Sequence, residues 1–201
     1  MNNVVPPIWV LVTYYAWAAC GIYFIVAAFR TQRIREKEAA ARRRLDSLLL
    51  WGSYVFMFLM LAPESAWELR MLPDHWLAPA GKAGAVVAIT GLAYTVWARA
   101  TLGQYWSRIV ALKEDHRLVQ SGPYRQVRHP LYSGLMLAAL GTVLALGVWR
   151  ALIGAALLWI GFAGRARRED TLLAGQFGAE FDAYRARTGR LAPRWSGRPA
   201  S

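Results

Sequence analysis

The sequence predicts an all-α integral membrane protein with about five transmembrane helices and short amphipathic helices near its C-terminal end. Two observations carry that fold class. The 201-residue chain is 56% hydrophobic with positive mean hydropathy and 10 tryptophans, more apolar surface than a soluble domain of this size buries. Its 24 lysines and arginines fall in short blocks between apolar runs, the arrangement that positive-inside topology describes. The net charge of +12 therefore points to membrane lipids as a partner. Nucleic acid is excluded, since no nucleic-acid-binding motif accompanies the charge. The length suits one membrane domain, residues 1–201, with three spans in 1–99 and a long loop, a helical hairpin and C-terminal helices in 100–195. A lone cysteine, Cys20, rules out an internal disulfide and reads as buried and inert.

Residues 8–29 run without a charge, enough to cross about 30 Å of hydrocarbon as a helix. Residues 30–44 then hold seven cations against Glu36 and Glu38, which fixes this loop on the inner side. The second span is 47–62, closed by Pro63. Residues 64–74 carry three acids and one arginine, with Trp67 and Trp76 as interface anchors, and belong outside. His75 in this loop receives no function. The third span is 83–98, with Lys82 and Arg99 at its ends.

A connection of roughly thirty residues follows, and polar loops of that length are usually functional. The fourth span, 131–148, and the fifth, 151–164, are separated by Trp149 and Arg150 alone and must form an antiparallel hairpin. Gly134, Ala138, Gly141 and Ala145 make a small-residue stripe that permits close helix contact. The fifth run has only fourteen residues, so its charged continuation begins near the inner boundary, where Gly154, Gly161, Arg165 and Glu169 share a face. Beyond it, Phe177, Phe181 and Tyr184 read as packing residues of two short amphipathic pieces separated by Gly178. The alternation of loop charge places the N-terminus outside and the C-terminus in the cytoplasm.

This topology brings His116, Tyr124, Arg128, His129 and Tyr132 to the same membrane face as Arg165, Glu169 and Asp170, so the site contains both signs of charge. The segments His116-Arg117-Leu118-Val119, Gly122-Pro123-Tyr124, Arg128-His129-Pro130-Leu131-Tyr132, Arg165 with Glu169-Asp170, and Phe177-Gly178 through Tyr184 resemble the isoprenylcysteine carboxyl methyltransferase family. Membrane enzymes that methylate phospholipid amines share part of the pattern. The resemblance covers residues 100–195, and the first two spans match only in being apolar.

The resemblance implies methyl transfer from S-adenosyl-L-methionine in a cytoplasmic C-terminal cofactor pocket. His116, Arg117, Leu118, Val119, Tyr124, His129, Pro130, Leu131, Tyr132 and Glu169 would line the pocket, and Arg165 would meet the carboxylate of a lipophilic, prenylcysteine-type acceptor. Arg165 and Glu169 are the implied catalytic pair, with Glu169 also restraining Arg165. No metal is implied, and no glycine-rich dinucleotide fingerprint is present. Two positions depart from the pattern: the second acid is Asp170 where the family usually has glutamate, and Ile109-Val110 stand where some relatives carry a glutamine, with Gln104 as a nearby substitute. Two alternatives stay open. One is methylation of a phospholipid amine or a thiol; the other is a non-catalytic membrane partner with a degenerate site.

Overall fold

The computed structural model describes residues 6–29, 70–103 and 118–194. The second span, the basic block at 30–44, His116, Arg117 and Gln104 lie outside the described residues. Five α-helices and one 3₁₀ turn are described, in the order α1 (Ile8–Phe29), α2 (Asp74–Leu102), the turn Gly122–Arg125, α3 (Pro130–Leu146), α4 (Trp149–Phe177) and α5 (Ala179–Arg187). No strand is present among the described residues, only isolated bridges joining Arg70 to Val148 and Val127 to Gly189.

The first helix has the bounds the charge-free run dictates. Val10, Thr13 and Cys20 face inward, at intervals of three and seven residues, while Ile8, Val12, Tyr15, Ile22, Ile25 and Val26 face outward as large exposed apolar groups. That outward face suits hydrocarbon. The Thr13 hydroxyl donates to the Trp9 carbonyl at 2.8 Å, and the indole of Trp17 donates to Thr142 of α3 at 2.9 Å.

The second described helix begins at Asp74, earlier than the expected start at residue 83, and takes Pro79 inside it. Asp74 in the first turn complements the helix dipole and pairs with Arg70 at 2.8 Å. Both α1 and α2 are long and apolar enough to cross a membrane, and α3 is a shorter apolar helix.

The small-residue stripe of α3 does what its spacing predicts. A Cβ on Gly91 would lie 2.6 Å from the Gly134 carbonyl oxygen, and one on Gly141 would lie 2.6 Å from the Gly84 carbonyl oxygen. Gly84 and Gly91 of α2 and Gly141 of α3 thus rest on backbone of the facing helix. Ala88, Ala98 and Ala138 fill the intervals with full burial. Backbones this close gain dispersion and Cα–H···O contacts that larger side chains would prevent.

Helix α3 stops at Gly147, whose φ of 65° is open to glycine with little strain. The hairpin then turns through Val148 into α4, and Ala139 and Val143 pack against Ala151, Ala155 and Leu158. The short fifth run and its charged continuation form one helix, as their shared face implies. It continues unbroken through Arg165, Glu169 and Asp170 to Phe177, a single helix of 29 residues. Polar residues do not end a helix unless they also supply a stop, and the first stop is Gly178 at φ 48°. One of the two amphipathic pieces expected after the hairpin is therefore the end of α4; the other is α5.

Candidate functional site

The site forms where α3 begins. Pro130 occupies its first turn and His129 its N-cap, at φ −123° and ψ 59°, with no side-chain cap bond. Proline suits that position because its missing N–H would have no intrahelical acceptor. The segment 126–129 is held from outside by residues 189–190. Gly189 N–H donates to the Gln126 carbonyl, Arg128 N–H to Gly189 and His129 N–H to Arg190, at 3.1, 2.8 and 3.1 Å. A C-terminal strap, residues 188–191, thus lies along the entrance to α3, and Ser133 donates to the Leu191 carbonyl at 2.6 Å.

Inside this frame His129 is buried, and both its ring nitrogens meet carboxylates of α4. Nδ1 is 3.0 Å from Glu169 Oε2, and Nε2 is 2.7 Å from Asp170 Oδ1. Two adjacent residues of α4 thus reach the two nitrogens of one ring. Burial alone would disfavour a charged imidazole, but the hydrogen bonds to Asp170 and Glu169 outweigh it, and His129 titrates above its ordinary value. By the same coupling Glu169 and Asp170 stay ionised below the usual carboxylate range despite burial, with His129 as the main counterweight for both.

The Tyr132 hydroxyl accepts from Arg165 Nε at 2.7 Å and donates to Glu169 Oε1 at 3.0 Å. Its ring stacks between His129 and Phe162, at centroid distances of 5.8 and 5.0 Å, with the Arg165 guanidinium 5.8 Å from its centroid. Arg165 and Glu169 are accordingly linked through a tyrosine hydroxyl as well as through helix spacing.

Tyr124 is buried in an apolar cluster with Ala98, Leu131, Tyr132 and Ala166, against which Val119 and Leu191 also pack. Burial and the nearby Glu169 charge push its phenol well above the ordinary tyrosine value. Its carbonyl accepts from Tyr184 at 2.7 Å, so α5 clamps the loop that precedes α3. Val119, Tyr124, His129, Pro130, Leu131, Tyr132, Arg165 and Glu169 come together around one end of the α2–α3 pair. Leu118 is half-buried at the start of the described loop.

Three participants, Phe162, Arg190 and Thr188, escaped the sequence reading. Phe162 shares α4's inward face three residues before Arg165, a spacing that could have flagged it. Arg190 and Thr188 come from the strap, where no periodicity marks them. Arg128, which the sequence places in the same cluster, reaches Thr188 O at 2.5 Å and both oxygens of Asp170 at 3.3 Å. Among the described residues no cluster of histidine, cysteine and carboxylates could hold a metal ion.

The family model described as the isoprenylcysteine carboxyl methyltransferase (ICMT) family matches residues 84–175, which carry Tyr124, His129, Tyr132, Arg165, Glu169 and Asp170. The chain belongs to the isoprenylcysteine carboxyl methyltransferase family. Among individual relatives, the protein-S-isoprenylcysteine O-methyltransferase of Schizosaccharomyces pombe is 42% identical over 86 residues, 41% of this chain and 36% of that protein. A probable protein-S-isoprenylcysteine O-methyltransferase of Oryza sativa subsp. indica is 27% identical across 81% of this chain and 83% of its own length. The nickel-cobalt-cadmium resistance protein NccN of Alcaligenes xylosoxydans xylosoxydans is 32% identical across 78% of this chain and 72% of its own. A solved structure of the eukaryotic intramembrane Ras methyltransferase ICMT superposes with a TM-score of 0.54 at 23% identity, covering 78% of this chain and 54% of that one. That likeness shows the fold. The chain spans about half the length of this solved relative. Within the family segment lie most of α2, all of α3 and most of α4, whereas Arg190 and the strap lie beyond it.

Proposed function

We propose that this chain is a membrane methyltransferase that uses S-adenosyl-L-methionine to esterify the carboxylate of a prenylcysteine-type acceptor, with its site on the cytoplasmic face. The single observation that carries the reading is the chain Arg165–Tyr132–Glu169–His129, gathered at the mouth of a close-packed apolar helix pair. Relatives named as protein-S-isoprenylcysteine O-methyltransferases support the acceptor class.

The donor set suits the cofactor. Glu169 is 26% exposed, and each of its oxygens accepts one described hydrogen bond, from Tyr132 and from His129. A carboxylate has about four lone-pair sites, so Glu169 keeps capacity for ribose hydroxyls or an ammonium group. The first amides of α3 have no intrahelical acceptors and point toward the same end. Tyr124, Leu131 and Val119 provide apolar walls. When bound, S-adenosyl-L-methionine supplies an electrophilic methyl on a sulfonium centre.

An acceptor carboxylate is already ionised at neutral pH, so the reaction needs no general base. Its oxygen forms the new O–CH₃ bond as the S–CH₃ bond breaks, the bonding pair stays on sulfur as a thioether, and no proton moves. The protein's part is alignment, an effect worth up to about 7–11 kcal/mol. Arg165, held by Tyr132 through Nε, has two terminal nitrogens in a planar fork that matches a carboxylate. Burial at 7% exposure strengthens that pairing by removing water. The exposed apolar faces of α1 and α2 leave a lipophilic acceptor free to approach from within the bilayer.

The test is incubation of purified protein in detergent with methyl-labelled S-adenosyl-L-methionine and N-acetyl-S-farnesylcysteine. A labelled product that releases methanol in base is expected. A base-stable product would assign an amine or thiol acceptor instead, and absence of cofactor binding would overturn the methyltransferase reading.

A further inference from the structure

The two adjacent acids of α4 differ in what capacity they have left. Asp170 Oδ1 accepts from His129 Nε2 at 2.7 Å and from Arg128 Nε at 3.3 Å, and Oδ2 accepts from Arg128 Nη2 at 3.3 Å and Arg190 Nε at 2.8 Å. Four donors occupy the four lone-pair sites of one carboxylate, whose side chain is 8% exposed. Asp170 has no acceptor site to offer a ligand. Glu169, its neighbour, has about half of its own left and is three times more exposed.

Both ring nitrogens of His129 sit within 3.0 Å of a carboxylate oxygen. An ionised carboxylate only accepts, so each ring nitrogen must donate, and the ring is a doubly protonated cation. It has no nitrogen left for a ligand either. The charged and titratable groups around it are Glu169 and Asp170 from α4 and Tyr132 from its own helix, with Arg128 before α3 and Arg190 from the strap sharing the Asp170 carboxylate.

From this saturation we infer that Asp170 and His129 are positioning residues: Asp170, fixed by Arg128 and by Arg190 of the strap, holds the His129 imidazolium, which in turn orients the Glu169 carboxylate toward the pocket. The inference rests on the reading of Glu169 as a pocket residue. It divides the paired acids by task, one closed within the protein and one open to a ligand. It also gives the shorter side chain at 170 a reason: one more methylene would drive the carboxylate into Arg128 and His129, which already lie at contact distance. The strap becomes part of the site without touching the ligand, since Arg190 fixes the Asp170 carboxylate on which His129 leans, and three backbone bonds at 189–190 fix the segment 126–129 that carries His129.

The test has two independent readouts on the full chain in detergent. Imidazole nitrogen NMR of ¹⁵N-histidine-labelled protein, with His75 and His116 separated by substitution, should show His129 protonated on both nitrogens at pH 7.5. In Asp170→Asn the ring should lose one proton at that pH, because the remaining partner at Nε2 is neutral and Arg128 and Arg190 are left nearby with no counter-charge. Affinity for S-adenosyl-L-methionine in Asp170→Asn should fall by about 10- to 100-fold, the usual size for loss of an orienting partner. Arg190→Gln, which removes one donor and leaves the His129 contact, should keep the imidazolium signal and lose less affinity. A singly protonated His129 in the unsubstituted protein, or wild-type affinity in Asp170→Asn, would overturn the proposal. Should the unsubstituted protein bind no cofactor, the function falls, while the nitrogen spectra of the unsubstituted chain and Arg190→Gln still decide whether Asp170 fixes His129. Those two samples also decide it if Asp170→Asn fails to fold.

Discussion

The α2–α3 seam and the cluster at its end hold α3 by opposite means, the seam against α2 and the cluster against α4 and the strap. Along the seam, Gly84, Ala88 and Gly91 face Gly134, Ala138 and Gly141 with backbone against backbone, and nothing charged intervenes. At the end, Arg128, His129, Glu169, Asp170 and Arg190 bind through ions and hydrogen bonds over distances of 2.7–3.3 Å. The seam depends on what its side chains lack. The cluster depends on each member being present, since removing one buried ion strands its partner at about 3–5 kcal/mol. In hydrocarbon there is little hydrophobic gain from pressing two helices together, so contact distance decides. At the end of the pair, buried charges are held because each meets a partner of opposite sign.

The sharpest way to break this contrast is to add volume to the seam. Gly141→Leu should be the largest effect of all, because its side chain would have to displace Ala88 and the Gly84 carbonyl, which are backbone and cannot swing away. Overpacking of this kind costs typically about 1–3 kcal/mol even where side chains can adjust. Loss of folded protein in detergent, with methyl transfer abolished, is the expected outcome. Gly175→Ala provides the control, since nothing lies within 4 Å of its would-be Cβ and it sits inside α4. It should leave activity intact and raise thermal stability slightly, because alanine is the better helix former by about 1 kcal/mol. Equal effects at the two glycines would dismiss the seam as a special element.

Next in size comes Arg165→Lys, which tests the cluster's dependence on shape apart from charge. Lysine keeps the positive charge near Tyr132 but has no planar fork and no Nε–H in the position that now donates to the tyrosine hydroxyl. A fall of about 10²-fold in kcat/KM for the prenylcysteine acceptor is expected, the magnitude seen when one well-placed donor is removed. Affinity for S-adenosyl-L-methionine should change far less. A lysine variant with near-normal kcat/KM would show that Arg165 acts as a simple point charge.

The seam was legible in the sequence and much of the cluster was not. Small residues at 134, 138, 141 and 145 declare a close contact because helical periodicity is local and needs no partner to be read. The extension of α4 beyond Asp170 to Phe177 was hidden because those residues read as the first of two short amphipathic pieces. Helix propensity does not change there, and only Gly178 stops it. His129, Glu169 and Asp170 could be named from motif resemblance. Their division of labour could not, since it depends on Arg190, twenty residues from Asp170 and brought back by the turn at Gly178 and the strap. Saturation of a carboxylate is a property of three-dimensional neighbours, and sequence spacing carries no record of it.

The smallest expected effect lies where the two regimes meet, at a side-chain hydrogen bond between α1 and α3. Trp17 donates to Thr142 at 2.9 Å, while Thr142 donates to the Ala138 carbonyl at 2.8 Å within its own helix. Trp17→Phe keeps an aromatic body against Tyr14, Ala139 and their neighbours and deletes the indole N–H. Thr142 would lose a donor but keep its own acceptor, so no hydroxyl proton is stranded. The loss should therefore be near the modest value of an interhelical bond in a membrane, about 0.6 kcal/mol, read as a small drop in thermal stability with methyl transfer unchanged. A loss several times larger would mean that α1 is anchored to the pair by this bond, and that polar ties reach further into the apolar region than the seam implies.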